Sequence, residues 1–221
     1  MSSASQPASV CDPDRDCPLC PRLVEFREFH RAREPEWFNA PVPSFLPQGG
    51  PASVRLLVVG LAPGLRGANK SGRPFTGDYA GDLLYETLDL YGYSRGKFQA
   101  RPDDGLELVG AAITNAVRCV PPENKPTGPE IKACRPFLIN TMAEMPNLAA
   151  ILALGRVAHE TVLTTLGKRR ASYPFAHNVA HNMGDFTLFD SYHCSRYNTN
   201  TGRLTTQMFR DVFDAIAAHL T

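Results

Sequence analysis

Four short apolar runs constrain this chain more than any other feature. They are "RLLVVG" (55–60), "AAITNAV" (111–117), "AAILALG" (149–155) and "FTLFDSYH" (186–193). The first is continuous and rich in branched residues, as a strand buried on both faces must be. Helical patterns separate the runs: "YAGDLLYETLDLYG" (79–92), "GPEIKACRPFLINTMAEM" (128–145) and "RVAHETVLTTLG" (156–167). A last stretch, "TTQMFRDVFDAIAAHL" (205–220), sets Phe209, Phe213 and Ile216 on one side. Strand–helix alternation predicts an α/β fold with a parallel sheet covered on both faces.

The 221 residues suit one domain with a sizeable core. Residues 1–16 are small, polar and Pro-bearing and are expected to form a disordered tip, so the domain is read as 17–221. "CPLC" (17–20) opens a short helix, and 34–53 is an irregular Pro/Gly-rich crossing. No apolar run approaches the ~20 residues of a membrane span. "MSSASQPASV" lacks the basic head and apolar core of a signal peptide, so a cytoplasmic location is the default expectation. A net charge of +1 does not announce a nucleic-acid binder. A local basic patch would suffice for one.

In a sheet of this kind, ligands bind beyond the carboxyl ends of the strands. The segments that follow the runs are therefore the ones to examine. "GLAPGLRGANKSGRPFTGD" (60–78) is glycine-rich but lacks the spacings of the dinucleotide and P-loop motifs. Read alone, "GLAPG" is a tight turn. Phe75 is either core or a platform for a flat ring, and Asp78 either caps the next helix or serves as an acid or base. Asn115 ends the second run, and its amide sets a donor beside an acceptor, the pattern of a base edge. His193 ends the fourth run, placed to donate to a developing anion. In "YHCSRYNTNTGRLT" (192–205), Arg196 and Arg203 suit phosphates, with Ser195, Asn198 and Thr199 as neutral partners.

Six cysteines need an account in a reducing compartment. Cys17 and Cys20 form a Cys-x-x-Cys pair, and Cys119 and Cys134 bracket a loop stiffened by Pro121, Pro122, Pro126 and Pro129. Four thiolates suit zinc or an iron–sulfur cluster, and spacing does not choose between them. Cys11 and Cys194 are left over as free thiols.

Taken together in order, "CPLC", "GLAPG" with "GANKSGRPFTGD", "TNAVRCVPPENKP" and "HCSRYNTNTGRLT" resemble the uracil-DNA glycosylase superfamily, most closely its family 5, the type B iron–sulfur enzymes. The resemblance implies a three-layer α/β/α fold around a central four-stranded parallel sheet. It implies a [4Fe–4S] cluster on Cys17, Cys20, Cys119 and Cys134. It also implies a monomeric, monofunctional repair enzyme whose partner is DNA carrying uracil or other deaminated bases such as hypoxanthine.

The roles implied follow the motifs. Gly60, Leu61, Ala62 and Gly64 would contact the base and sugar by their backbone, Phe75 would stack on the ring, and Asn115 would pair with its edge. His193 would donate to the leaving base, and Asp78 would steer water and stabilise the sugar cation. Many relatives carry an acid where this chain has Ala62, and its absence is the family 5 pattern. Cys194 stands where a small aliphatic residue is expected. DNA contacts are expected from Lys70, Arg73, Ser195, Arg196, Asn198 and Arg203, with Tyr197 filling the gap left by the extruded base. Two other classes compete: a non-catalytic nucleotide- or phosphate-binding module with a structural metal, and an electron-transfer iron–sulfur protein.

Overall fold

The computed structural model describes residues 12–221. The regular elements are α1 (Pro21–Arg33), β1 (Leu56–Gly60), α2 (Ala68–Ser71), α3 (Tyr79–Leu90), β2 (Ser94–Arg95), β3 (Glu107–Leu108), β4 (Ala111–Asn115), α4 (Gly128–Ala143), β5 (Ala150–Leu154), α5 (Arg156–Thr165), β6 (Ala180–Asn182), β7 (Thr187–Ser191), α6 (Arg196–Asn200) and α7 (Thr206–Leu220). Each of the four apolar runs contains one of the strands β1, β4, β5 and β7.

The main sheet has five strands in the order β4-β1-β5-β7-β6. Four are parallel, as the runs predict. The fifth, β6, pairs antiparallel with β7 and corrects the four-stranded expectation. Its sequence "AHN" holds no apolar residue larger than alanine and its first and last residues are exposed, so it carries no strand signal. A separate β2–β3 pair lies outside this sheet.

Every residue of β1, β4 and β5 is buried. Alternate residues serve the two faces, as strand geometry requires. Leu56, Val58, Ile113 and Leu152 join Leu84 and Leu88 of α3 and Phe209, Phe213 and Ile216 of α7. Leu57, Val59, Ala112 and Ile151 join Leu138 of α4 and Val162 of α5. These are the two helical layers, and truncating one such Leu to Ala costs about 2–5 kcal/mol.

The expected disordered tip falls mostly outside the described residues, which include none of 1–11. Residues 12–16 are held in place. Asp12 pairs with the buried Arg118 at 2.8 Å and accepts from Ser44, and Asp16 pairs with Arg31 at 2.6 Å. A carboxylate with a buried arginine partner anchors chain that composition alone marks as loose. Among the described residues no helix is long and apolar enough to cross a membrane.

The topology places the polar loops together. β1 ends at Gly60 and β4 at Asn115, and these two residues are register partners. β5 ends at Leu154 beside Ser191 of β7, two residues before His193.

Candidate active site

The site is built around Gly60. A Cβ there would collide with Asn115 Oδ1 and lie 2.7 Å from Phe75 Cζ. The side chains of Asn115 and Phe75 therefore share the space above a residue that must be glycine. The Phe75 ring stacks on His193, with centroids 5.9 Å apart and planes 29° from parallel. Asn115 is buried, and its Oδ1 has no hydrogen-bond partner. His193 Nδ1 is likewise buried and unpartnered. Burial pushes the His193 imidazole down to about 4, so the ring is neutral at pH 7.

Phe75 adopts φ +52°, a left-handed backbone that costs a side-chain-bearing residue about 1–3 kcal/mol. Its neighbours hold it there. Tyr85 Oη donates to the Pro74 carbonyl at 2.7 Å, and Ser71 Oγ donates to the Thr76 carbonyl at 2.8 Å. Arg73 Nε donates to Thr76 Oγ1 at 2.8 Å, while both terminal nitrogens bind Asp104 at 2.8 Å. The guanidinium also lies against the rings of Phe45, Tyr85 and Phe98. This corrects the expectation that Arg73 meets DNA: it is 6% exposed and its donors are committed to the loop. An arginine in a glycine-rich loop resembles a phosphate ligand in sequence, and only the distant Asp104 reveals the difference.

Asp78 stands at the N-cap position of α3, yet its side chain makes no capping hydrogen bond. Its Oδ1 is buried without a partner. Burial raises its carboxyl above the ordinary range, opposed by the amides of Gly81 and Ala80 at the helix start. A Cβ on Gly64 would lie 3.0 Å from Asp78 Oδ2, and one on Gly67 would overlap it. The glycines of the first loop make room for this carboxylate. Cys194 is fully buried near Asp78, and burial pushes its thiol up to about 12, so it serves as core. Leu61 and Ala62 follow Gly60, with the Leu61 carbonyl accepting from the Val117 amide at 3.0 Å.

The remaining basic candidates are exposed. Lys70 lies over the Trp37 ring, Arg196 over Tyr79 and Arg203 over Tyr192. None of the three has a carboxylate partner among the described residues. Tyr197 is 72% exposed on α6, a helix the sequence reading leaves as loop. Ser195 caps α6, and Asn198 Nδ2 donates to the His193 carbonyl at 2.8 Å. Asn198 thereby ties α6 to the His193 loop.

Cys17, Cys20, Cys119 and Cys134 line one apolar cavity with Leu23, Val24, Val117 and Phe137. Cys20 stands just before α1, Cys119 follows β4 and Cys134 lies on α4, so three separate elements converge. Ala62 packs into the same cluster, joining it to the first loop. As free thiols, Cys119 is pushed up to about 12 and Cys134 to about 11, in both cases chiefly by burial. Arg118 escapes a sequence reading: its side chain bridges Asp12, Ser44 and Thr141, and its amide donates to Cys134 Sγ at 3.3 Å. Cys11 lies outside the described residues.

Comparison with known proteins agrees with this arrangement. Residues 47–217 match the model of the uracil DNA glycosylase superfamily. The chain is 44% identical to the type-5 uracil-DNA glycosylase of Thermus thermophilus, over 89% of this chain and 90% of that protein. It is 37% identical to the type-5 uracil-DNA glycosylase of Pyrobaculum aerophilum, over 92% and 88%, and 39% identical to that of Mycobacterium tuberculosis, over 89% and 75%. The matched region holds Gly60, Phe75, Asp78, Asn115 and His193, and on this ground the chain belongs to the uracil DNA glycosylase superfamily, on its type-5 branch.

Proposed function

We propose that residues 17–221 act as one monomeric, monofunctional DNA glycosylase that hydrolyses the N-glycosidic bond of uracil in DNA and leaves an abasic site. One observation carries the reading. Asp78 Oδ1, Asn115 Oδ1 and His193 Nδ1 are all buried without partners, and all lie at a strand end or in the loops between strand and helix. Buried polar atoms are nearly always satisfied, so a cluster left open calls for a ligand.

The chemistry follows from the groups present. The target bond is hidden inside the duplex, so the nucleotide must be flipped into the site. Phe75 offers a ring face for stacking. Asn115 accepts from the ring N–H of uracil through Oδ1 and donates to the adjacent carbonyl through Nδ2. Hypoxanthine presents the same donor beside a carbonyl, so this edge admits it as well. Cleavage gives an oxocarbenium-like sugar and a base anion. The Asp78 carboxylate stabilises the first and orients water. His193, neutral, donates to the base oxygen as charge builds, a contact worth about 2.7–4 kcal/mol by comparison with other oxyanion donors. Lys70, Arg196 and Arg203 supply phosphate contacts, and Tyr197 fills the vacated stack.

The four thiols fit an iron–sulfur cluster of the [4Fe–4S] type. Four thiols from three separate elements converge on one apolar cavity, a donor set that suits such a cluster. When bound, such a cluster supplies a cross-link between α1, the segment after β4 and α4. Ala62 carries that rigidity to the first loop.

The test is a panel of matched duplexes carrying uracil, hypoxanthine, xanthine or mismatched thymine, scored for abasic sites. Release of uracil, with hypoxanthine also accepted, is expected. Tight binding of the duplexes with no abasic sites in any of them would reduce the protein to a binding module.

A further inference from the structure

Arg27 is a buried cation that neither the packing nor the chemistry above accounts for. Leu23 and Arg27 are the buried residues of α1, one helical turn apart and so on one face. Leu23 packs with Val117 and Cys134. Packing alone would call for a second apolar side chain one turn on. Arg27 stands there instead, 3% exposed, and lines the cavity that holds Cys17, Cys20, Cys119 and Cys134.

A buried charge is costly unless a countercharge lies beside it. Three arginines are buried among the described residues: Arg27, Arg73 and Arg118. Arg73 is matched by Asp104 and Arg118 by Asp12, and both of those carboxylates are themselves buried. Arg27 has no such partner among the described residues. Glu28 Oε1 lies 3.5 Å from its Nε, but that side chain is 53% exposed and accepts from Arg31 at 2.9 Å. Asp16 is likewise taken by Arg31, at 2.6 Å. One terminal nitrogen of Arg27 donates to the Cys17 carbonyl at 3.2 Å, while Nε is buried with no hydrogen-bond partner. The guanidinium therefore keeps an idle donor and an unmatched charge beside four thiols.

We propose that Arg27 is the buried counter-cation of the cysteine-bound cluster, donating to its sulfurs and raising its reduction potential. The inference rests on the iron–sulfur reading of the four thiols. A cluster on four thiolates carries net negative charge, which an apolar cavity disfavours and an adjacent guanidinium offsets. Reduction adds an electron to that charge, so the cation favours the reduced state. Net charge and hydrogen bonds to sulfur are the levers by which a protein sets such a potential.

The test uses full-length protein purified without oxygen. Iron and sulfide are counted, and the potential is read by redox titration, for wild type, Arg27→Gln and Arg27→Lys. Arg27→Gln is expected to keep its iron and sulfide and to shift the oxidised-to-reduced ratio on the order of tenfold toward oxidised, which for one electron is a fall of about 59 mV. Arg27→Lys keeps the charge and is expected to recover most of that fall. Equal potentials in wild type and Arg27→Gln, each with full iron and sulfide, overturn the proposal and leave the cluster reading intact. Wild type without iron and sulfide overturns the cluster reading and the proposal together. Should Arg27→Gln lose its cluster, wild type with isotope-labelled guanidinium nitrogens decides. Electron–nuclear double resonance of the reduced cluster is expected to show coupling to a guanidinium nitrogen, and its absence overturns the proposal. None of these readouts depends on glycosylase activity.

Discussion

Gly67 and Asp78 share one space. A Cβ on Gly67 would overlap Asp78 Oδ2 and lie 2.9 Å from Asp78 Cγ. The first loop is therefore shaped around a carboxylate that comes from the start of the next helix. Gly67→Ala should displace that carboxylate without touching Arg196 or Arg203. A displacement near 1 Å costs about 10²-fold in rate. Single-turnover cleavage by a folded Gly67→Ala protein should fall by that order while duplex affinity holds. Unchanged cleavage would mean that the position of Asp78 is not critical.

The arginines should separate by salt dependence. Arg196→Ala and Arg203→Ala should each flatten the plot of log affinity against log salt by roughly 0.9 on duplex DNA. Arg73→Ala should leave the slope alone and instead destabilise the fold by about 3–5 kcal/mol, because it strands the buried Asp104. A slope that ignores Arg196 and Arg203 would move the footprint elsewhere, with "GKRR" (167–170) the next stretch to test.

His193 should write itself into the acid limb of the stability curve. Its folded pKa is pushed down to about 4, below the roughly 6.5 of an unfolded histidine. Between those values the unfolded chain binds the proton and the native chain does not. Stability from this group is therefore full above about pH 6.5 and is lost as pH falls toward 4. Denaturant titrations across that window should show a shallower pH slope for His193→Asn than for wild type. Parallel curves would place His193 in a wetter setting than the structure gives it.

What the sequence made legible, and what it did not, has a physical pattern. The four parallel strands announce themselves because burial on both faces demands continuous apolar runs. Asn115 and His193 follow from strand ends, since topology fixes where loops gather. β6 stays hidden because its hold on the sheet comes from backbone pairing and the His181–Asp190 contact, which leave no hydrophobic period. Arg73 and Arg118 mislead or escape for a related reason. The fate of a guanidinium depends on a carboxylate far along the chain, Asp104 in one case and Asp12 in the other. The four cysteines are legible as a set, but only the fold brings α1, the end of β4 and α4 to one cavity.

The cysteine site makes its own prediction. Protein purified without oxygen should be brown and contain iron and sulfide. Cys17→Ala should lose the colour and much of the solubility, and Cys194→Ala should lose neither, because Cys194 is sealed in the main core. Colourless, fully folded protein with stoichiometric zinc on sulfur would rule out the iron–sulfur reading.

The most direct test of the account is Asp78→Asn under single-turnover conditions. Asn caps a helix about as well as Asp. The amide keeps the shape and loses the charge, so the substitution separates a cap from a carboxylate that works on the sugar cation. Asp78 already makes no capping hydrogen bond, and one of its oxygens is buried without a partner. The account predicts near-wild-type thermal stability, near-wild-type affinity for uracil-containing duplex, and cleavage slowed on the order of 10²–10⁴-fold. Cleavage at the wild-type rate would contradict it, and would leave the reaction to Asn115, His193 and backbone dipoles alone.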